Sequence, residues 1–349
     1  MGEIKQYTQE DCVAINQFLE KYFPNKHDAI IKRSRTDNYF RWKYGPNPFG
    51  KSIMFTYWEG GDLLGCFGAV PEPLTIRGKK ILAYQLTDAF VAPSMHGKGI
   101  FGLLAGEVFK EIDKVSNICF GMSPSEYSLP IFTERYTMYI APKYRQVYSP
   151  LRFNDILRAK NLRVLSPLGK VINVLRNNPF SKPEVNIEEI NYIPPSYYMI
   201  CKDEFDFSIH KDQEYVAYRY EQCPESYRFF KVNDDYNNDV VLVIKLVSWQ
   251  NITMCYLIDV IGNLEKAHTA LFLCRAMYAI GIKTASAVVS MELHNPKGEL
   301  SRLLLKGFLC HRREECVFMR QSSWPFLNPA SADYDSKRWI IFSGDSDYI

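Results

Sequence analysis

The chain has 349 residues, 47% of them hydrophobic and 14% aromatic, enough to bury sizeable cores and more than one domain of ordinary size needs. A formal net charge of +3 is too balanced to argue for a nucleic-acid groove or for attraction to an acidic membrane surface. Nine cysteines stand singly without a C-x-x-C pair and six histidines show no H-x-x-x-H spacing, so neither a disulfide framework nor a metal site is expected.

The opening MGEIKQYTQEDC has no apolar signal region, and no stretch approaches the roughly 20 apolar residues of a spanning helix. A cytoplasmic protein without membrane insertion is expected. The first distinctive segment is Tyr39-Phe40-Arg41-Trp42-Lys43-Tyr44-Gly45-Pro46-Asn47-Pro48. Aromatic rings with polar tips suit stacking on a sugar or nucleobase, which makes Trp42, Tyr44 and Asn47 candidates for acceptor binding; core packing is the other reading of the same rings. Next, 55–57, a glycine turn at 58–62 and 63–70 read as a hairpin, and 74–76, a turn at 77–80 and 81–91 repeat it.

The stretch DAFVAPSMHGKGIFGLLAGEVF, Asp88 to Phe109, then runs from an extended apolar segment through a turn holding Gly97, Gly99 and Gly102 into an apolar helix. A glycine turn opening a helix is an anion site: the backbone can approach phosphate oxygens, several N–H groups converge, and the helix end adds partial positive charge. Neither the dinucleotide fingerprint nor the nucleotide P-loop fits these residues. Downstream, 115–121 reads as a short strand, 123–126 as a capped turn, and a helix is expected through about Tyr136. Helical periodicity covers Arg152 to Arg176, and proline-rich linker chemistry follows at 177–183 and 193–196.

The second half repeats the first. Tyr39, Trp42, Lys43, Tyr44 and Pro48 match Tyr215, Tyr218, Arg219, Tyr220 and Pro224 at identical spacing, with Asp37 and Asp212 preceding them at nearly the same offset. Leu86-Thr87-Asp88 pairs with Leu257-Ile258-Asp259, and Glu126–Tyr136 with Lys297–Phe308. A repeat of this length implies duplicated domains rather than a solenoid. After Asp259 the sequence offers Gly262 and Glu265 in place of the Gly97-Lys98-Gly99 turn, and a carboxylate there would repel phosphate.

VAPSMHGKGIFGLL resembles motif A of the GNAT acyltransferase superfamily, whose loop holds the pyrophosphate of acyl-coenzyme A on successive backbone N–H groups. The resemblance assigns donor binding to Phe90, Val91, Ala92, His96, Gly97, Lys98, Gly99, Ile100, Phe101 and Gly102, with His96 and Phe101 departing from the usual residues. Ser125, Ser128 and Phe132 fall on the spacing of motif B, whose tyrosine is missing from its slot. The implied fold is α/β with a mixed sheet, in two tandem GNAT-like domains: 1–150 binds acyl-CoA, 151–198 is a helical connection and linker, and 199–349 is a degenerate domain shaping the acceptor cleft. The co-substrate is then acetyl-CoA or a longer acyl-CoA, without metal. The superfamily's oxyanion donor is a backbone N–H of the fourth strand, here Val91 or Ala92. Asp88, set by strand alternation on the face of Phe90 and Ala92, is the best-placed base, a structural role being its other reading; Glu126 and His96 are weaker base candidates, and Glu126 is also a candidate for acceptor binding. The run at Tyr39–Pro48 resembles an element of long GNAT proteins encoded among bacterial surface-polysaccharide genes. This implies N-acylation of a nucleotide-linked amino sugar. The alternatives are a tandem enzyme acting on an aminoglycoside or cell-wall peptide, or a non-catalytic acyl-CoA-binding protein.

Overall fold

A computed structural model describes residues 2–23, 36–76, 78–122, 124–125, 127–176, 185–198, 207–235, 238–263, 269–294, 308–310, 315–321 and 339–340. Its backbone is one long mixed sheet flanked by helices, an α/β arrangement as expected. The main strands of the first half are β1 (Glu3–Gln6), β2 (Ile53–Glu59), β3 (Asp62–Ile76), β4 (Lys79–Val91), β5 (Ile118–Met122) and β6 (Tyr139–Pro150). Those of the second are β7 (Asn186–Ile190), β8 (Arg228–Asn233), β9 (Asp239–Trp249), β10 (Ile252–Asn263), β11 (Val288–His294) and β12 (Glu315–Gln321).

Their spatial order is β1-β2-β3-β4-β5-β12-β6-β11-β10-β9-β8-β7. Counted in sixes it is a palindrome, 1-2-3-4-5-6′-6-5′-4′-3′-2′-1′, so each half lends its sixth strand to the other. β12 pairs with β5 and β6 with β11, both antiparallel. The units expected at 1–150 and 199–349 are therefore interlocked. The segment 151–198 carries more than helix and linker, because β7 forms the outer strand of the second half.

Hydrophobic patterning explains the layers. Helices α1 (Cys12–Tyr22) and α3 (Ile100–Ile112) turn Ile15, Leu19, Leu104 and Val108 onto Phe67 and Ala69 of β3, forming the first core. A third layer of this kind, with Phe272, Met277 and Ile280 of α7 (Thr269–Lys283), covers Leu242, Leu257 and Val289 in the second half. Between them Leu74, Phe120 and Ile118 pack with Phe207, Val241, Tyr256 and Met319 in a core that both halves build. Such a joint core is what makes the strand exchange worth its loop-closure entropy.

Two hairpins were expected between residues 55 and 91, but 63–70 and 74–76 are one strand, β3, running through Pro71 and Pro73. The reason is positional: pairing with β2 stops at Ala69 and pairing with the segment 207–209 starts at Leu74, so Pro71 falls in the gap between two neighbours and Pro73 at its edge, where only its carbonyl is engaged, by His210 N–H. The helical stretch 152–176 is broken by Asn161, at φ +60°, into α4 (Phe153–Ala159) and α5 (Ser166–Arg176). The repeat at the aromatic segments is real and shifts by one residue at its start. Thr36 caps α2 (Asp37–Lys43) by accepting from the Tyr39 N–H at 3.1 Å, and Asp212 caps α6 (Gln213–Val216) by accepting from Tyr215 at 2.9 Å. Thr36, not Asp37, is thus the counterpart of Asp212. The proposed match of 126–136 to 297–308 lies largely outside the described residues.

Candidate functional site

β4 and β5 run parallel only from Tyr84–Leu86 against Cys119–Gly121, then separate. A cavity of about 980 Å³ fills the opening. Its walls are the end of β4, the loop 95–99, the first turn of α3, and the segment 124–135. The sequence candidates Asp88, Phe90, Val91, His96, Gly97, Gly99, Ile100, Phe101, Gly102, Ser125, Ser128 and Phe132 all line it.

The glycine loop is built for an anion. Gly97 and Gly99 sit at φ +76° and +79°, a left-handed conformation that glycine adopts without penalty. A Cβ on either would meet nothing within 4 Å, so backbone angle and not crowding within the protein demands glycine here. The His96 and Lys98 N–H groups are consumed inside the turn by Pro93 and Met95 carbonyls. Among the described residues no protein acceptor takes the N–H groups of Gly97, Gly99, Ile100, Phe101 or Gly102, which open α3. His96 clips the loop to the strand, its Nε2–H donating to the Val91 carbonyl at 3.1 Å. The Lys98 ammonium turns back toward Met95 Sδ at 3.5 Å, so only its backbone belongs to the loop.

Arg135, which the sequence did not single out, and Tyr136 complete this end together with Ser125 and Phe132. No acidic residue occupies the first turn of α3. Arg135 lines the cavity, lies over the Tyr136 ring and has its guanidinium against Gly102, where an added Cβ would fall 2.3 Å from Nη1. The Tyr136 hydroxyl donates to the Gly102 carbonyl at 3.0 Å. This tyrosine buttresses the helix that carries the loop, and burial raises its pKa above the ordinary value. Phe132 is buried, within 5.5 Å of the Phe101 ring and 6.1 Å of Phe67, so it floors the cavity. Ser125 caps the turn ahead of it by accepting from the Ser128 N–H.

Three expectations are revised. The Ala92 N–H donates to the Leu64 carbonyl at 2.9 Å, so of the two backbone donors considered for an oxyanion only Val91 stays a candidate. Asp88 does not follow strand alternation: its φ is +49°, and the β3–β4 register jumps from Cys66↔Phe90 to Gly68↔Thr87 across it. Its carboxylate accepts from Lys43 Nζ at 2.5 Å and the Tyr44 hydroxyl at 2.6 Å, and Lys43 is buried. Trp42, Tyr44 and Asn47 do not line the cavity. Trp42 packs on Tyr218 of the other half, Tyr44 lies in the core beneath Asp88, and Asn47 closes its own turn by accepting from the Phe49 N–H. Glu126 lies outside the described residues, as does 264–268, the segment that was to distinguish the second half.

The second half repeats the carboxylate without the glycine loop. Asp259, buried, accepts from Tyr220 OH at 2.5 Å and pairs with Lys211. Tyr44 and Tyr220 are counterparts in the repeat, as are Asp88 and Asp259. The β9–β10 register also jumps beside Asp259, between Val243 and Ile244. A carboxylate–tyrosine pair at a bulge present in both halves has a task that both share, which is fixing the bulge. Among the described residues no group of three or more His, Cys, Asp or Glu is arranged to hold a metal.

Residues 3–135 match the model of the acetyltransferase (GNAT) domain. No curated protein matches the chain in sequence. Solved structures share its fold over nearly its whole length. Saccharomyces cerevisiae N-myristoyltransferase with bound myristoyl-CoA superposes with a TM-score of 0.63 at 12% identity, over 97% of this chain and 87% of that one. A probable N-acyltransferase from Enterococcus faecalis V583 gives 0.57 at 8% identity, over 92% and 73%. A GCN5-related N-acetyltransferase from Anabaena variabilis gives 0.55 at 10% identity, over 93% and 73%. The chain thus matches a GNAT acetyltransferase domain over residues 3–135 and shares its overall fold with these solved structures.

Proposed function

We propose that the protein moves an acyl group from acyl-coenzyme A to the amine of a nucleotide-linked amino sugar for surface-glycan assembly. One observation carries the donor half of this reading: five uncommitted backbone N–H groups open α3 at the mouth of the cavity between β4 and β5. They suit a pyrophosphate, and the strand ends beyond them suit the pantetheine arm and thioester. The wall formed by Phe67, Phe90, Phe101, Phe132 and Met122 suits an apolar acyl chain and supports a donor longer than acetyl.

In the reaction the amine lone pair attacks the thioester carbon, the carbonyl oxygen becomes an oxyanion, the C–S bond then breaks to release thiolate, and the nitrogen gives up a proton to that thiolate or to solvent to leave the neutral amide. Val91 N–H is the candidate donor to the oxyanion. With a thiol pKa near ~8.5 the leaving group needs little acid assistance. The ammonium form of the acceptor must first lose a proton. Asp88 is a poor recipient, being hydrogen-bonded to both Lys43 and Tyr44, so that proton passes to solvent and the protein acts through positioning.

The acceptor rests on the resemblance of Tyr39–Pro48, of which Tyr39 and Lys43 line the cavity while Trp42 packs at the seam and Tyr44 in the core. The deciding assay incubates the protein with acyl-CoAs of graded length and a panel of amines: nucleotide-linked amino sugars, aminoglycosides and peptides with free amino termini. Thiol release and product mass are read together. Turnover confined to another amine class would replace the sugar, and coenzyme A binding without thiol release from any amine would favour a binding protein.

A further inference from the structure

Helix α5 is mounted inside out. Its inward face is small and polar: Ser166, 5% exposed, accepts from Arg158 Nε at 3.1 Å, and Asn173 accepts from the Phe153 N–H at 2.8 Å while donating to Asn154 at 2.6 Å. Gly169 lets α4 and α5 touch, since a Cβ there would fall 2.6 Å from the Asn154 backbone nitrogen. The outward face is apolar. Val164 is 91% exposed, Leu168 56% and Val171 54%, with Leu162 and Leu165 exposed beside them. Leu168 and Val171 fall on one stripe of α5 and 166, 169 and 173 on another, while Val164 and Leu165 stand on the short 3₁₀ turn Arg163–Leu165 that leads into the helix. A helix of a soluble domain ordinarily turns its apolar stripe inward, and here hydrogen bonds and a glycine contact hold it the other way. A cluster of exposed apolar side chains this tight marks an interaction surface.

The charge around the stripe decides the partner. Between residues 151 and 176 the sequence has six cations against one acid, Asp155; Arg152 pairs with that acid at 2.8 Å and Arg158 is turned to Ser166 on the inward face, while Lys160, Arg163 and Lys170 are exposed. The overall balance of +3 conceals this concentration. An apolar stripe with exposed Lys160, Arg163 and Lys170 in the same segment is the pattern of a helix lying in the plane of an anionic bilayer surface. A second copy fits poorly, because stripe on stripe would bring two basic rims together. Among the described residues no helix is long and apolar enough to cross a membrane. We propose that the stripe Val164, Leu165, Leu168 and Val171, with its basic rim, docks the protein on an anionic lipid surface.

The test uses the full chain with phosphatidylcholine vesicles, alone or carrying about 30% phosphatidylglycerol. Flotation should recover the protein with the anionic vesicles at least roughly tenfold better than with neutral ones, and ~0.5 M salt should reduce the recovery. Leu168→Glu with Val171→Glu should abolish it at unchanged circular dichroism and unchanged coenzyme A affinity. Lys160→Glu with Lys170→Glu should weaken it. Val164→Trp reports insertion independently, through a blue shift of the new tryptophan's emission on adding anionic vesicles. No binding to anionic vesicles by the wild type, or binding indifferent to both double variants, overturns the proposal. So does concentration-dependent self-association in sedimentation velocity that Leu168→Glu with Val171→Glu removes while vesicles remain unbound.

Discussion

Trp42 and Tyr218 hold the same position in the two halves and lie against each other, ring centroids 5.0 Å apart and planes at 24°. Each also reaches the other's backbone: Trp42 Nε1–H donates to the Tyr218 carbonyl at 3.3 Å, and the Tyr218 hydroxyl to the Trp42 carbonyl at 3.5 Å. A residue meeting its own counterpart, with reciprocal bonds, is the signature of a two-fold interface. Here the axis lies within one chain, and the exchanged strands β6 and β12 flank it. The Arg219 guanidinium, 5.5 Å from the Trp42 ring, adds a cation–π contact.

Trp42→Ala should therefore act on stability. Losing a half-buried indole and its stacking partner costs about 2–4 kcal/mol. Urea denaturation should show the midpoint falling, while coenzyme A affinity of the folded fraction stays near that of the wild type. A Trp42→Ala protein of normal stability that no longer binds donor or acceptor would return Trp42 to the site.

Asp88→Asn separates the base from the bulge pin. The substitution leaves the Lys43 ammonium buried beside a neutral amide, a loss of about 3–5 kcal/mol. Asp259→Asn should produce a comparable loss through Tyr220 and Lys211. If both variants melt early while the rate of surviving Asp88→Asn protein stays within a few-fold of wild type, the shared structural task is established. A stable Asp88→Asn protein slowed by roughly 10²–10⁴-fold, recovering at high pH, would instead identify a base.

What was legible in the sequence depended on locality. The glycine loop reads directly because Gly97 and Gly99 carry their reason, positive φ, in their identity. The repeat was visible as spacing, since a duplicated helix keeps its caps and rings at fixed intervals. The ion pair of Lys43 with Asp88 spans 45 residues and a bulge that breaks alternation, so no periodicity announces it. Strand exchange was invisible for a similar reason: β6 and β12 look like ordinary sixth strands, and only tertiary pairing tells whose sheet each joins. Arg135 stands in no motif, and only the contact with Gly102 gives it meaning.

Donor binding should respond to backbone angle at one point and to charge at another. Gly99→Val forces a β-branched residue to φ +79° and should abolish coenzyme A binding, whereas Gly99→Asn, which tolerates this region, should retain part of it. Arg135→Ala should weaken binding about 10–100-fold and flatten its salt dependence, because a guanidinium beside an acid-free helix N-terminus suits a phosphate. Gly102→Ala, which displaces the guanidinium, should reproduce part of that loss. Isothermal titration across salt concentrations would expose an Arg135 with no role by unchanged affinity.

The seam also sets an acid limit. His210 is buried, its Nδ1 2.8 Å from Thr75 Oγ1 and its backbone N–H bonded to Pro73, where the segment Phe207–Ile209 pairs with β3. Burial, and then the Lys80 ammonium, hold its pKa below the usual value, despite Asp212 pulling the other way. The native state thus keeps the ring neutral, while the unfolded chain takes up a proton near pH ~6.5. Stability from this residue is complete above that pH and declines as pH falls from there toward the folded-state value. Asp212, hydrogen-bonded to Lys80 at 2.6 Å and lowered on balance, stays ionised through this window and begins to fail only at lower pH. Thermal melts between about pH 7.5 and 5 should therefore show Tm dropping below pH ~6.5. His210→Gln, which can still reach Thr75 but cannot take a proton in this range, should flatten the decline. An identical decline in the variant would assign the acid sensitivity to other groups and leave His210 a spectator at the seam.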